Sequence, residues 1–147
     1  MKSIFDQSTY DEVRSRLDAL TENSERAWGK MTPGQMLAHC QAPIEVMLGT
    51  NSHGLKPNWL AKTFFKKAMY SDKPWRKNLP TVRSMKQTED KDFTQEKGKL
   101  NQLVDDLYAR REQQEWQEHP SFGYFTPKQW GKMQYKHLDH HLTQFGV

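Results

Sequence analysis

The chain has 147 residues, few branched or aromatic apolar side chains (Leu, Ile, Val and Phe number 26) and a net charge of +4. Five Trp, five Tyr and seven Met restore core volume. With so small a net charge this excludes intrinsic disorder and predicts one folded domain over 1–147. The single cysteine, Cys40, excludes an internal disulfide framework and fits a reducing compartment. No apolar run approaches the ~20 residues that span a bilayer, and the first residues lack a signal-peptide core, so a soluble cytoplasmic protein is expected.

Four segments carry helical periodicity. In the first, Tyr10, Val13, Leu17 and Leu20 recur at three- and four-residue spacing after the polar residues Asp6, Ser8 and Thr9. The second begins MTPGQMLAHC, with Thr32 placed to cap, Pro33 at the first helical position, and Met36, Cys40, Ile44 and Met47 as its stripe. Pro43 should bend this helix, because it offers no N–H to the carbonyl of His39. The third segment, within 93–115, carries Leu100, Leu103, Val104 and Leu107. The fourth starts FTPKQW, repeating the Thr-Pro start at Thr126 and Pro127. Strand alternation is absent, and an antiparallel four-helix bundle is the expected architecture.

The connection between the second and third helices exceeds 40 residues, long for a bundle loop. Within it, residues 58–70 form a candidate short helix anchored by Trp59, Phe64 and Phe65. Residues 51–91 hold ten Lys or Arg against three Asp or Glu. In 56–86 these cations, among them Lys66, Lys67, Arg76 and Arg83, interleave with aromatics. That pattern can bind single-stranded nucleic acid or lie on an anionic membrane. The expected arrangement is a solvated basic face whose aromatics pack onto the bundle. The segment can also act as a lid that offers positive charge to an acidic substrate.

The fourth helix ends KHLDHHLTQF. At about 100° per residue, His137 and His141 lie some 40° apart in the centre of the apolar stripe, with Lys132, Lys136 and Thr143 opposite. His140 falls on the flank, a surface or supporting position. Two buried imidazoles at i and i+4 need partners for their nitrogens, and this spacing is the one used by helical zinc sites. Two core histidines bonded to neighbouring groups is the competing reading. A third donor must come from another helix, where His39 is the candidate and Cys40 is read as a small buried apolar residue. His53 and His119 fall in loops, where surface roles are expected. Gln144 shares the face of His137 and His141 and can orient a ligand or bond a neighbouring helix. Glu45, Asp105 and Asp106 fall on polar faces, so no general base is identified.

The segment MTPGQMLAHC together with His137–Gln144 resembles the DinB-like superfamily of four-helix-bundle metalloproteins, and SFGYFTPKQWGKMQYKHLDHHLTQFG resembles a branch of it with unknown function. The resemblance spans nearly the whole chain and is weakest through 50–92. It implies a nickel, zinc or iron ion held by His39, His137 and His141, with open coordination positions, Gln144 beside them, and a homodimer. Characterised relatives include transferases and isomerases that use low-molecular-weight thiols. Where those relatives often carry Arg-Gly before the Gln, this chain has Leu142-Thr143. The implied function is a metal-dependent enzyme acting on a small molecule, activating a thiol or water. The alternative is a non-catalytic binding protein that uses 56–86 and keeps a metal for stability.

Overall fold

The computed structural model describes residues 1–147 and is all-helical. Helix α1 spans Gln7–Ala19, α2 Pro33–Leu48, α3 Lys66–Tyr70, α4 Phe93–Ala109 and α5 Pro127–Gln144. A π-helical turn, Ala61–Phe65, leads into α3, and a 3₁₀ turn covers Arg83–Met85. The only bridge outside helices joins His119 to Gly123.

The two site-bearing helices begin with the same device. Thr32 Oγ1 accepts from the Gln35 backbone N–H at 3.2 Å while Gln35 Oε1 accepts from the Thr32 N–H at 3.0 Å. Thr126 and Gln129 repeat both bonds at the same distances. Each reciprocal box satisfies two donors that a helix start otherwise leaves open, with proline at the next position. Helix α2 runs through Pro43 to Gly49, whose left-handed φ of 79° closes it. Gln134 on α5 donates to the Pro43 carbonyl at 2.9 Å, which ties the two helices beside that proline.

Helix α2 packs on α4 and α5, α1 lies against both α4 and α5, and α3 docks on α5. The core joins Val13 and Leu17 of α1, Met36, Ile44 and Met47 of α2, Leu100, Val104 and Leu107 of α4, and Trp130 and Leu138 of α5. Ile4 is fully buried, and its N–H bonds the Gly131 carbonyl at 3.1 Å, so the N-terminal segment is fastened to α5.

Two expectations need correction here. Trp59, Phe64 and Phe65 do not anchor the segment 58–70; all three are exposed. The segment is held from its other side, where Met69 and Tyr70 pack on the core and Lys66 bonds the Tyr124 carbonyl. His119 is not a surface residue. The bridge to Gly123 folds it inward against Phe122, Phe125 and Trp130, and its Nδ1 accepts from the Ser121 and Phe122 N–H groups. Burial holds its pKa down at about 4. Its loop position was legible in the sequence, but the inward turn was not.

Candidate metal centre

His39 from α2 and His137 and His141 from α5 converge at the buried interface of those helices, with one ring nitrogen of each within 4.8 Å of the others. His39 Nε2 and His137 Nε2 are 3.1 Å apart. Two nitrogens bound to one ion at 2.0–2.1 Å lie roughly 2.9–3.4 Å apart for right-angle to tetrahedral geometry. The three histidines could therefore hold a metal ion.

The outer nitrogens are assigned by their partners. His39 Nδ1 lies 3.3 Å from the Met85 carbonyl, which can only accept, so this nitrogen carries the proton and Nε2 carries the lone pair. His141 Nδ1 lies 2.8 Å from Gln144 Oε1. Gln144 Nε2 donates to the Trp28 carbonyl at 2.7 Å, which identifies Oε1 as the acceptor end and leaves His141 Nε2 bare. A neutral His137, whose Nε2 faces His39, has a single ring proton and can answer only one of those two lone pairs. A divalent cation answers all three inward nitrogens together. On these grounds the donor set fits such an ion.

Burial keeps the cluster neutral. Desolvation lowers the His39 pKa, and the Met85 carbonyl offsets part of the effect. His141 is pushed down to about 3 by burial and then by His39, against a smaller opposing effect of Gln144. His137, buried and flanked by His141 and His39, is held well below its ordinary value, first by burial and then by those neighbours. Neutral imidazole is the form that ligates.

The long connection forms the roof. Trp75 meets the rings of His137 and His140 edge-on at 5.9 Å each, and its Nε1 bonds the Ala68 carbonyl at 2.9 Å. Lys136 does not face solvent opposite the stripe as its angle predicts. Its Nζ is buried, bonds the Ala68 and Ser71 carbonyls at 2.7 and 2.8 Å, and lies 5.4 Å from the Trp75 ring centroid. It thereby closes the C-terminal end of α3, where unsatisfied carbonyls favour a cation.

His140 is half-buried between Trp28, Trp75 and His141 and stays outside the converging set. Cys40 is fully enclosed with its thiol pKa raised by burial, a core residue. Among the anion-binding candidates, Lys66 is committed to Tyr124 and the Phe125 ring, while Lys67, Arg76 and Arg83 are exposed. Glu45 pairs with His53, and Asp105 accepts from the Tyr10 hydroxyl and pairs with Arg14, so neither carboxylate serves the cluster. Met85, Trp28, Trp75 and Lys136 were not identified from the sequence as parts of the site. Met85 and Trp28, the latter between α1 and α2, contribute backbone carbonyls, which have no sequence signature, and Trp75 and Lys136 matter only once the connection folds over α5.

The family described as "Protein of unknown function (DUF1569)" matches residues 3–146. The chain belongs to this family. No curated protein and no solved structure matches the chain. The DUF1569 match takes in both helices that supply the histidines as well as the connection that roofs them. No helix in this DUF1569 chain is long and apolar enough to cross a membrane.

Proposed function

We propose that this protein is a metal-dependent enzyme whose divalent ion is held by His39, His137 and His141, within a DinB-like antiparallel four-helix bundle. The observation that carries the reading is the pair of fixed tautomers. Met85 and Gln144 each hold a proton on the outer nitrogen of a histidine, so both inner nitrogens present lone pairs to one point. Core histidines could use the same outer bonds, but they would leave one inner lone pair unanswered, since a neutral His137 has only one ring proton to give.

When bound, nickel, zinc or iron supplies a Lewis acid that lowers the pKa of a coordinated thiol or water. Three neutral imidazoles leave its charge uncompensated, which favours an anionic oxygen or thiolate from a small-molecule substrate. Gln144 keeps His141 in its ligating tautomer and orientation. Trp28, Trp75 and His140, all half-buried, form an aromatic wall beside the cluster. Leu142 and Thr143 stand where thiol-using relatives often carry Arg-Gly, so water activation ranks beside thiol activation. A cytoplasmic homodimer accompanies this reading.

Elemental analysis of tag-free protein beside a His137→Ala, His141→Ala double variant tests it. Near one equivalent of nickel, zinc or iron in the parent and little in the variant is expected. A metal-free parent that also fails to take up added ions would make the histidines core residues. Screening thiol transfers and hydrolysable substrates before and after chelation then separates an enzyme from a protein that keeps the ion only for stability.

A further inference from the structure

The segment that roofs the cluster shows a different chemistry on its outer side. Trp59, Leu60, Phe64 and Phe65 are 70, 54, 66 and 59% exposed, four large apolar side chains within seven residues. Monomeric soluble proteins seldom present such a group without a use for it. The π-turn over Ala61–Phe65 sets their arrangement. Its wider winding brings residues five apart nearly into line, where an α-helix would rotate them well away from each other. Trp59 thus pairs with Phe64, ring centroids 6.5 Å apart. Asn58 Oδ1 accepts from the Ala61 N–H at 3.0 Å and starts the turn.

Cations flank this apolar group along the chain. Lys56, Lys67, Lys73, Arg76 and Arg83 are exposed and take part in no ion pair. The acid nearest to them in the chain, Asp72, is taken by the Met1 ammonium at 3.0 Å and Lys132 at 3.9 Å. A groove of about 520 Å³ lined by Leu55, Lys56, Asn58, Val82 and Arg83 adjoins the start of the turn and brings two of those cations together.

We propose that residues 56–83 are a docking surface for an anionic membrane, with Trp59, Leu60, Phe64 and Phe65 entering the lipid interface and the flanking Lys and Arg side chains meeting headgroups. The short helix docks on α5 while Trp59, Leu60, Phe64 and Phe65 just before it stay exposed to solvent. Apolar side chains framed by lysines on one side of a helix is the pattern that binds a bilayer surface without crossing it. A second copy of the chain fits less well, because an isologous contact would set the same unpaired cations against each other. Single-stranded nucleic acid fits less well too. Its bases stack on aromatic platforms, whereas Leu60 in this patch has no ring to stack.

The test is co-sedimentation of the 147-residue chain with vesicles of phosphatidylcholine alone or with about one-third phosphatidylserine. The parent should bind the anionic vesicles, bind the neutral ones far more weakly, and release with added salt. Trp59→Ser, Phe64→Ser should weaken binding about tenfold or more. Lys67→Ala, Lys73→Ala should weaken it about 30-fold at low salt. All four positions are exposed, so both variants should keep the parent circular dichroism and, where the parent holds metal, its metal content. Failure to bind either vesicle, or binding indifferent to both variants, would overturn the proposal. So would a parent dimer that the Trp59→Ser, Phe64→Ser variant dissociates, or tighter binding to a single-stranded oligonucleotide than to vesicles.

Discussion

Gln144 bonds His141 through Oε1 and Trp28 through Nε2, so its amide cannot turn over without breaking both contacts. Gln144→Leu should therefore leave the fold in place while weakening metal uptake by about 10–100-fold, read by competition with a chromophoric chelator. Gln144→Glu, which keeps an acceptor toward His141, should lose less. Gly29 belongs to the same device. Its φ of 80° and the placement of Gln144 Nε2, 2.6 Å from where a Cβ would stand, leave no room for another residue. The histidines also set a pH dependence. Unfolded histidines take up protons below about 6.5, whereas folded His119 resists until about 4. The unfolded chain thus binds more protons in that window, and metal-free protein should be fully stable above pH 6.5 and lose stability as pH falls toward 4. His119 alone contributes about 3 kcal/mol to that loss. Urea unfolding at pH 7 and 4.5 should show it, with a shallower fall in a His119→Asn variant.

At the scale of elements, the matched capping boxes and the lysine that closes α3 carry separable predictions. Thr126→Ala should cost about 1 kcal/mol in urea unfolding, since it frees the Gln129 N–H and removes one half of a reciprocal pair. Lys136→Met should leave α5 intact but expose the Ala68 and Ser71 carbonyls, so amide exchange through 66–75 should quicken while α1 and α4 stay protected. The four long helices were readable because Thr-Pro starts and apolar stripes are local features. Their angular order also placed His137 and His141 together and set His140 apart. The short elements were not readable in the same way. Aromatic identity argues for burial, and only the π-turn together with the docking of Lys66, Met69 and Tyr70 decides that Trp59, Phe64 and Phe65 face outward. Lys136 was misplaced for a related reason: a helical angle says which way a side chain points, not what the rest of the chain lays across it.

For the whole molecule, the cluster was legible as far as its three donors and Gln144 on their face. His39, His137 and His141 came from helix phase and resemblance, while Met85 and Trp75 reach them through a connection with no periodicity to read. That connection now has two sides. One touches the imidazoles, and the other presents bare aromatics to solvent.

His39 and His137 are 98 residues apart, so an ion shared between them acts as a removable cross-link around a ring of chain. Unfolding does not open that ring in one step. His137 and His141 remain four residues apart in any conformation and can keep an ion after the fold is lost, whereas His39 must return across the whole loop. Whatever binds the unfolded chain subtracts from the stabilisation that saturating metal confers. The rise in melting temperature on adding an ion should accordingly measure the recapture of His39 more than the strength of the site. His39→Ala should keep weak uptake at the remaining pair yet lose most of that rise, a difference that calorimetric melting with and without the ion would resolve.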